Sequence, residues 1–330
     1  MKQLCLALAL CTVLARLACA HTLTVYAAFG YDRAVASAFT HATGIAVDLV
    51  HLSTGPLQAR VQAEGSRPQW DVVWFDGNLA MREFALQHRL QCGWLPAVPY
   101  DRAGRALLPA DRCYLPVGLT YAGTLLVDVA RVSQVPTRWS QLAAAQLRAR
   151  VGMNNPAISG PTFPLVAGIL QHDGLRAGKD YFELLRANGL KVYPTNSVTL
   201  RALQYGQIAV ALVQSSAALG FAEGKPGLRI VAPSPLAELP SDIAIGAGVR
   251  GKTLEQARRF VQYVLSPAGQ QVMQHADPRA DSNYQPLLRG VRPLPSLARL
   301  QVAHAEVLDP KLWGPREGAI DSWFGSHVLH

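Results

Sequence analysis

Apolar and polar positions follow two different periods in the early part of the sequence, and the change of period predicts alternating strands and helices. The segments 23–26, 45–50 and 71–75 are short and mainly apolar, which is typical of buried strands. The segment 32–43 places its apolar residues on one helical face, and Gly44 is suited to end that helix. Strand, helix, strand, helix, strand is the order expected of a doubly wound α/β sheet.

The alternation stops in the middle of the chain and then begins again. Residues 115–127 predict extended crossover strands, and residues 243–249 predict a strand that returns to the first lobe. We therefore predict an α/β fold of two doubly wound lobes, joined by crossover strands, with a ligand cleft between them. The predicted boundaries are 21–120 for the first part of lobe 1, 121–245 for lobe 2, and 246–330 for the return to lobe 1 and a C-terminal helical tail.

The first twenty residues have the pattern of an export signal. Lys2 gives a short positive start, residues 4–14 are apolar, and Ala18-Cys19-Ala20 is typical of a signal-peptidase site. The apolar run is shorter than the roughly 20 residues that span a membrane, and Arg16 interrupts it. We expect residues 1–20 to be removed and the mature protein to be soluble in the periplasm. Arg16 stands where a lipobox has an aliphatic residue, which disfavours a lipid anchor at Cys19.

Composition and charge exclude several classes of protein. The chain has 330 residues, half of them hydrophobic and 16% charged, so a disordered or fibrous protein is excluded. The formal net charge of +9 comes mainly from single, scattered arginines, and we expect no nucleic-acid partner. The sequence lacks GxSxG and HExxH motifs and a Cys/His pair poised for nucleophilic attack, so we do not expect an enzyme.

Two cysteines, Cys92 and Cys113, remain after the predicted signal. An even pair in an oxidising compartment favours a disulfide, and two buried free thiols are the alternative. The sequence has no CxxC motif, and His88 has no partner at the spacing of zinc ligands. We therefore predict neither a metal nor a cofactor.

Four segments, 38–47, 70–74, 155–162 and 260–270, carry a resemblance to a known family. They read AFTHATGIAV, WDVVW, NPAISGPT and FVQYVLSPAGQ. In this order they resemble the type II periplasmic substrate-binding proteins of ABC importers, in the group around the ferric-ion-binding proteins. The resemblance implies a monomeric, hinged receptor that closes on a small-molecule solute and delivers it to an inner-membrane ABC permease. A sensor that passes the same solute to a receptor is the alternative.

The family varies in cargo, and the resemblance implies several candidates: ferric iron, phosphorylated sugars, phosphonates, thiamine and polyamines. Its ferric-ion binders carry two adjacent tyrosines in the region that aligns with residues 213–218, and this segment contains none. The His-Asp pair of its hexose-phosphate binders is also absent there. Ferric iron is therefore a less favoured candidate for the cargo, although tyrosines occur elsewhere in the chain.

Two loops that precede helices predict an anion site. Ser53-Thr54-Gly55 and Ser159-Gly160-Pro161-Thr162 would bring hydroxyls and free backbone N–H groups to the cleft from opposite lobes. The alternative is that Ser53, Thr54, Ser159 and Thr162 only cap their helices. We predict a small anionic solute, phosphorylated or phosphonate-like, with ferric iron, thiamine or a polyamine as alternatives.

Further side chains are candidates for the same cleft. Asp76 and Asp242 would pair with an amine on the ligand, although Asp76 is equally suited to cap a helix. Phe29 and Tyr31 are candidate aromatic walls, and the alternative for them is a hydrophobic staple onto the next helix. Tyr121 lies where a crossover strand would pass behind the ligand. Two polar residues, Gln214 and Ser215, are candidates for hydrogen bonds to the solute.

Overall fold

The structure is a computed structural model that describes residues 22–329, so the predicted signal at 1–20 lies outside the described residues. A seven-stranded sheet and a five-stranded sheet, each with helices, confirm the predicted two-lobed α/β fold. The strands are β1 (Leu23–Ala27), β2 (Val47–His51), β3 (Val72–Asp76), β4 (Leu115–Ala122), β5 (Thr124–Asp128), β6 (Val151–Asn154), β7 (Lys191–Tyr193), β8 (Val210–Val213), β9 (Leu228–Val231), β10 (Leu236–Ile245), β11 (Gln285–Pro286) and β12 (Ala305–Glu306).

Helices follow most of the strands. They are α1 (Asp32–Thr43), α2 (Thr54–Glu64), α3 (Asn78–Leu86), α4 (Arg102–Leu107), α5 (Thr162–Asp173), α6 (Leu175–Ala187), α7 (Asn196–Gln204), α8 (Ser215–Phe221), α9 (Gly251–Val264), α10 (Pro267–Ala276), α11 (Pro310–Trp313) and α12 (Glu317–Phe324). Gly44 ends α1 in the left-handed conformation, with φ of 71°, as its position in the sequence predicts.

The first lobe is built on the sheet with the strand order β11-β4-β10-β3-β1-β2, and β12 pairs with β10. Strands β1, β2 and β3 are parallel, while β10 runs antiparallel to both β3 and β4. Aromatic side chains fill the core between this sheet and its helices, and Phe39 meets Phe260 edge to face with ring centroids 5.1 Å apart. The parallel strands end at one edge of the sheet.

The second lobe is built on the sheet with the order β7-β6-β8-β5-β9. Strands β6, β7 and β8 are parallel to one another, and β5 is antiparallel to its neighbours. Helices α11 and α12 pack on this lobe, where Trp313, Ile320 and Phe324 join Phe163 and Phe182 in one buried cluster. The C-terminal tail therefore contributes to the second core.

Two extended segments connect the sheets. Strand β4 passes into β5 at Gly123, and β10 returns the chain from β9 to the first sheet. Gly123 has a φ of +87°, and a Cβ there would lie 2.5 Å from Leu165 Cδ1, so glycine is required at this crossing. Because β4 and β10 pair as far as Ala122 and Ala237, the two crossings lie side by side.

The predicted disulfide between Cys92 and Cys113 is confirmed, with Cα atoms 3.9 Å apart. It closes the segment that contains α4 on the first lobe. Within residues 22–329, no helix is both long and apolar enough to cross a bilayer.

Candidate functional site

A cavity of about 560 Å³ lies between the two lobes. The first lobe lines it with residues that follow β1, β2 and β3, and the second lobe with residues that follow β6, β7 and β8. A turn after α10, residues 279–281, completes the wall. The carboxyl ends of parallel strands are where ligands bind in open α/β sheets, so the topology marks this cavity as the site.

Several predicted residues line this cavity, namely Ser53, Thr54, Asp76, Ser159 and Gln214. Ser53 occupies the position before α2, yet its side chain makes no capping hydrogen bond. Its hydroxyl therefore remains available to a solute, and the capping alternative is not realised at this residue.

Three predicted residues lie behind the wall, where the lobes touch. The Gly55 N–H donates to the Ile158 carbonyl over 3.2 Å, so this amide binds the opposite lobe. A Cβ on Gly160 would collide with the side chain of Thr54. Thr162, the first residue of α5, is 4% exposed and packs in the second lobe. Gly55 and Gly160 thus permit close approach of the lobes and do not themselves line the cavity.

Three other predicted residues lie away from the cavity. Phe29 is buried because its ring stacks on Tyr31, 4.9 Å between centroids, and packs against Trp74. The Tyr121 N–H donates to Ser215 Oγ over 3.0 Å, and both residues line a separate cavity of about 240 Å³. The predicted aromatic wall and the predicted Ser215 contact are therefore absent from the main cavity.

Asp242 also lies away from the cavity, for a reason of strand geometry. Ser241 pairs in register with Asp76, so these two side chains share a face of the sheet, and Asp242 points to the other face. Asp242 is 1% exposed, and its carboxyl oxygens have no hydrogen-bond partner in the described part of the chain. Burial raises the pKa of Asp242 to about 8.

Two carboxyl groups form the floor of the cavity. Asp76 Oδ2 accepts a hydrogen bond of 2.9 Å from Gln214 Nε2, which also donates to Thr120 Oγ1 over 3.0 Å. The Gly30 N–H donates to Asp281 Oδ2 over 2.8 Å. Burial, followed by the charge of Asp281, raises the pKa of Asp76 well above its usual range, and burial raises the pKa of Asp281 to about 6.

The second lobe presents hydrogen-bond donors to the cavity through a buried amide network. Asn154 Nδ2 donates to Ser159 Oγ over 3.1 Å and to Asn196 Oδ1 over 2.6 Å. Thr199 Oγ1 donates to Asn154 Oδ1 over 2.5 Å and fixes that amide. Because Ser159 Oγ and Asn196 Oδ1 already accept hydrogen bonds, the Ser159 O–H and the Asn196 NH₂ are left to donate to a solute.

Arginines from both lobes also line the cavity. Arg201 on α7 and Arg279 after α10 are exposed, and neither forms an ion pair within residues 22–329. Lys225 lies nearby, with its Nζ 3.3 Å from the centroid of the Phe221 ring. Burial, and then the positive charge of Arg279, lowers the pKa of Lys225. Arg201 and Arg279 therefore place positively charged groups in the cavity lining, with Lys225 close by.

The sequence interpretation missed several cavity residues, and only some of them carried a signal. Thr195, Asn196 and Ser197 follow β7 and begin α7, a pattern of polar residues that marks a strand-end loop as clearly as Ser53 does. The turn 279–281 carried no comparable signal, since its place in the cavity depends on contacts with distant residues. His51, Gly30 and Arg201 were also missed.

Within residues 22–329, no group of three or more His, Cys, Asp and Glu side chains is placed to hold a metal ion. The cavity lining contains no tyrosine, although Tyr31 lies close behind it and is 2% exposed.

Solved structures share the fold. The periplasmic binding protein AfuA from Actinobacillus pleuropneumoniae, with exogenous fructose-6-phosphate bound, aligns with a TM-score of 0.81 at 19% identity, over 94% of this chain and 99% of that one. Iron-bound HitA from Pseudomonas aeruginosa aligns with a TM-score of 0.74 at 19% identity, over 91% and 98%. A periplasmic thiamin-binding protein aligns with a TM-score of 0.76 at 19% identity, over 93% and 96%.

Sequence comparison identifies the family to which the chain belongs. The major ferric iron-binding protein of Neisseria meningitidis serogroup B is 26% identical over 248 residues, which cover 73% of this chain and 74% of the relative. The corresponding protein of Neisseria gonorrhoeae is 28% identical over 194 residues, 58% of each chain. The family model described as bacterial extracellular solute-binding protein matches residues 23–276. The chain therefore belongs to the bacterial extracellular solute-binding proteins, as a type II periplasmic binding protein of the group that includes the ferric-ion binders.

Proposed function

We propose that this chain is the periplasmic receptor of an ABC import system and that it captures a small anionic organic solute, phosphorylated or phosphonate-like. The observation that carries the proposal is the pair of cavity arginines, Arg201 and Arg279, which have no carboxylate partner within residues 22–329. Guanidinium groups bind phosphate oxygens in bidentate geometry, so these side chains are suited to an anion.

The remaining donors of the cavity support the same class of ligand. The hydroxyls of Ser53 and Ser159 and the amide of Asn196 face the cavity from both lobes. An anion that binds donors on both lobes stabilises the arrangement in which they approach, and thereby shifts the population toward the closed state. The closed receptor would then deliver its solute to an inner-membrane permease, as a monomer, without nucleic acid and without catalysis.

Ferric iron is the second candidate, because the curated relatives are named as ferric iron-binding proteins. A hard trivalent ion favours oxygen donors such as phenolates, yet Ser215 and Ser216 occupy the segment where the family's iron binders carry tyrosines. Ser215 also binds the Tyr121 amide outside the main cavity. We therefore rank iron below an organic anion, and thiamine or polyamines below both.

A thermal-shift panel tests the proposal directly. The mature protein would be heated with sugar phosphates, phosphonates, sulfate, thiamine, polyamines or ferric citrate. We expect organic phosphates or phosphonates to raise the melting temperature, because a ligand that binds only the folded state stabilises it. Stabilisation by ferric ion alone, with a visible charge-transfer colour, would overturn the proposal.

A further inference from the structure

The cavity has an acceptor side and a donor side. Asp76 and Asp281 lie on the acceptor side, which belongs to the first lobe. Ser159, Asn196 and Arg201 lie on the donor side, which belongs to the second lobe. Arg279, in the same turn as Asp281, adds a further cation to the cavity lining. A solute that carries groups of opposite charge would match both sides.

The acceptor side contains a carboxyl oxygen that has no hydrogen-bond partner in the described part of the chain. Asp76 is 6% exposed and lines the cavity, and its Oδ2 is bound by Gln214. Its other oxygen, Oδ1, has no hydrogen-bond partner within the described residues. This oxygen is therefore free to accept a hydrogen bond from a donor group of the solute.

Neither carboxyl group, that of Asp76 or that of Asp281, has a basic side chain within ion-pair distance in the described part of the chain. The charge of Asp281 disfavours ionisation of Asp76. His51, which also lines the cavity, is bound through its Nδ1 to Asp32 over 2.7 Å. A positive group supplied by the solute would favour the ionised form of both carboxyl groups and offset the cost of their charges.

Resting on the proposed function, we propose that the solute is dipolar. Its protonated amine binds Asp76 and Asp281, and its phosphate or phosphonate group binds Arg201, Arg279 and the Ser159 hydroxyl. An aminoalkyl phosphate or an aminoalkyl phosphonate has this chemistry. The cavity of about 560 Å³ accommodates a small molecule that reaches both sides.

A hydroxyl group is the alternative occupant of the acceptor side, and its chemistry differs. A hydroxyl donates one hydrogen bond and carries no charge, so it does not offset the cost of ionising Asp76 beside Asp281. An ammonium group donates three hydrogen bonds and carries the missing positive charge. The ammonium therefore matches the acceptor side more completely than a sugar hydroxyl does.

Calorimetric titration with three matched probes tests the inference. The probes are 2-aminoethyl phosphate, 2-hydroxyethyl phosphate and ethyl phosphate, which share the anion and differ at the other end. We expect the amine to bind at least about tenfold more tightly than either neutral probe, since charge-assisted hydrogen bonds exceed neutral ones. Asp76→Asn and Asp281→Asn should each reduce this preference, whereas Asp48→Asn, at an exposed position of the same lobe, should retain it.

The outcomes separate this inference from the proposed function. Equal affinities for all three probes, or tightest binding of 2-hydroxyethyl phosphate, would overturn the proposal of a dipolar solute. The proposal that the protein is an anion receptor would still hold. If none of the three binds, while ferric ion alone stabilises the protein, both proposals fail. The comparison of the probes on the unmodified protein stands even if a variant does not fold.

Discussion

Gln214 Nε2 in the second lobe donates a hydrogen bond to Asp76 Oδ2 in the first lobe, over 2.9 Å. The same amide donates to Thr120 Oγ1 over 3.0 Å, on the strand that crosses between the lobes. The Gln214 side chain thus connects the second lobe to Asp76 in the first lobe and to the crossover strand β4. The position of Asp76 in the cavity is therefore linked to the approach of the lobes.

Removing this amide should weaken solute binding. Gln214→Leu keeps a similar volume but leaves Asp76 Oδ2 without its donor, so we expect the affinity for the best anion of the thermal-shift panel to fall about tenfold. Thr120→Val is the matched control. It removes the hydroxyl that accepts from Gln214 and donates to the Leu239 carbonyl, but it keeps the contact between Gln214 and Asp76, so its effect on affinity should stay below about threefold. Calorimetry measures both, and equal losses in the two variants would contradict the role given to Asp76.

Gly160 should be required for closure, because a Cβ there meets the Thr54 side chain of the opposite lobe. In Gly160→Ala the lobes cannot approach fully, so we expect at least about tenfold weaker binding and an unchanged melting temperature without solute. Gly227→Ala is the control in the second lobe, where a Cβ would have open space. Small-angle X-ray scattering with saturating solute should show a larger radius of gyration for Gly160→Ala, and a radius equal to that of the unmodified protein would refute the steric argument.

The disulfide should stabilise the fold without affecting the site. It joins residues separated by 21 positions, and closing a loop of that length lowers the free energy of the folded state relative to the unfolded chain by about 3 kcal/mol. Replacing both Cys92 and Cys113 by serine should remove that stabilisation in urea unfolding. Solute affinity should stay within about twofold, because neither residue lines the main cavity. A loss of affinity without a loss of stability would count against this assignment.

Asp242 should make stability depend on pH. Its pKa is raised from 3.8 to about 8 by burial, so between those values the folded protein holds a proton that the unfolded chain releases. The free energy of unfolding should therefore fall as pH rises through this window, by up to about 1.4 kcal/mol per pH unit from this group. The asparagine of Asp242→Asn does not titrate in this window. The free energy of unfolding of the variant, relative to that of the unmodified protein, should therefore increase with pH up to about pH 8.

Asp48→Asn controls for the loss of one exposed carboxylate from the same lobe. Denaturant unfolding at a series of pH values provides the comparison, since the other titrating groups are common to all three proteins. If Asp242→Asn follows the pH profile of the unmodified protein, the burial of a titrating carboxyl at this position is refuted.

The fold was predictable because its signals are local. The apolar segments near 23–26, 45–50 and 71–75 became β1, β2 and β3, and the parallel order brings their carboxyl ends to one edge. Ser53 and Ser159 could be found on that ground, because each follows a strand whose end the topology places at the cleft.

The remaining site residues depend on packing and on register. Asp281 enters the cavity through its contact with the Gly30 amide, 251 positions away in sequence, which no local pattern reveals. Phe29 follows β1 as a cavity residue would, but stacking on Tyr31 buries it in the core. Asp242 differs from Ser241 by a single position, and this reverses the face of the sheet on which its side chain lies.

Calorimetric binding of the best organic phosphate or phosphonate to three variants tests most directly whether the cavity between the lobes binds an anion. The variants are Arg201→Gln, Arg279→Gln and Arg176→Gln. The first two change cavity residues, whereas Arg176 is exposed on α6 outside the cavity. We predict that each cavity variant binds at least about tenfold more weakly and that Arg176→Gln binds like the unmodified protein. Equal affinities in all three variants, or binding of ferric ion alone, would contradict an anion receptor with its site between the lobes.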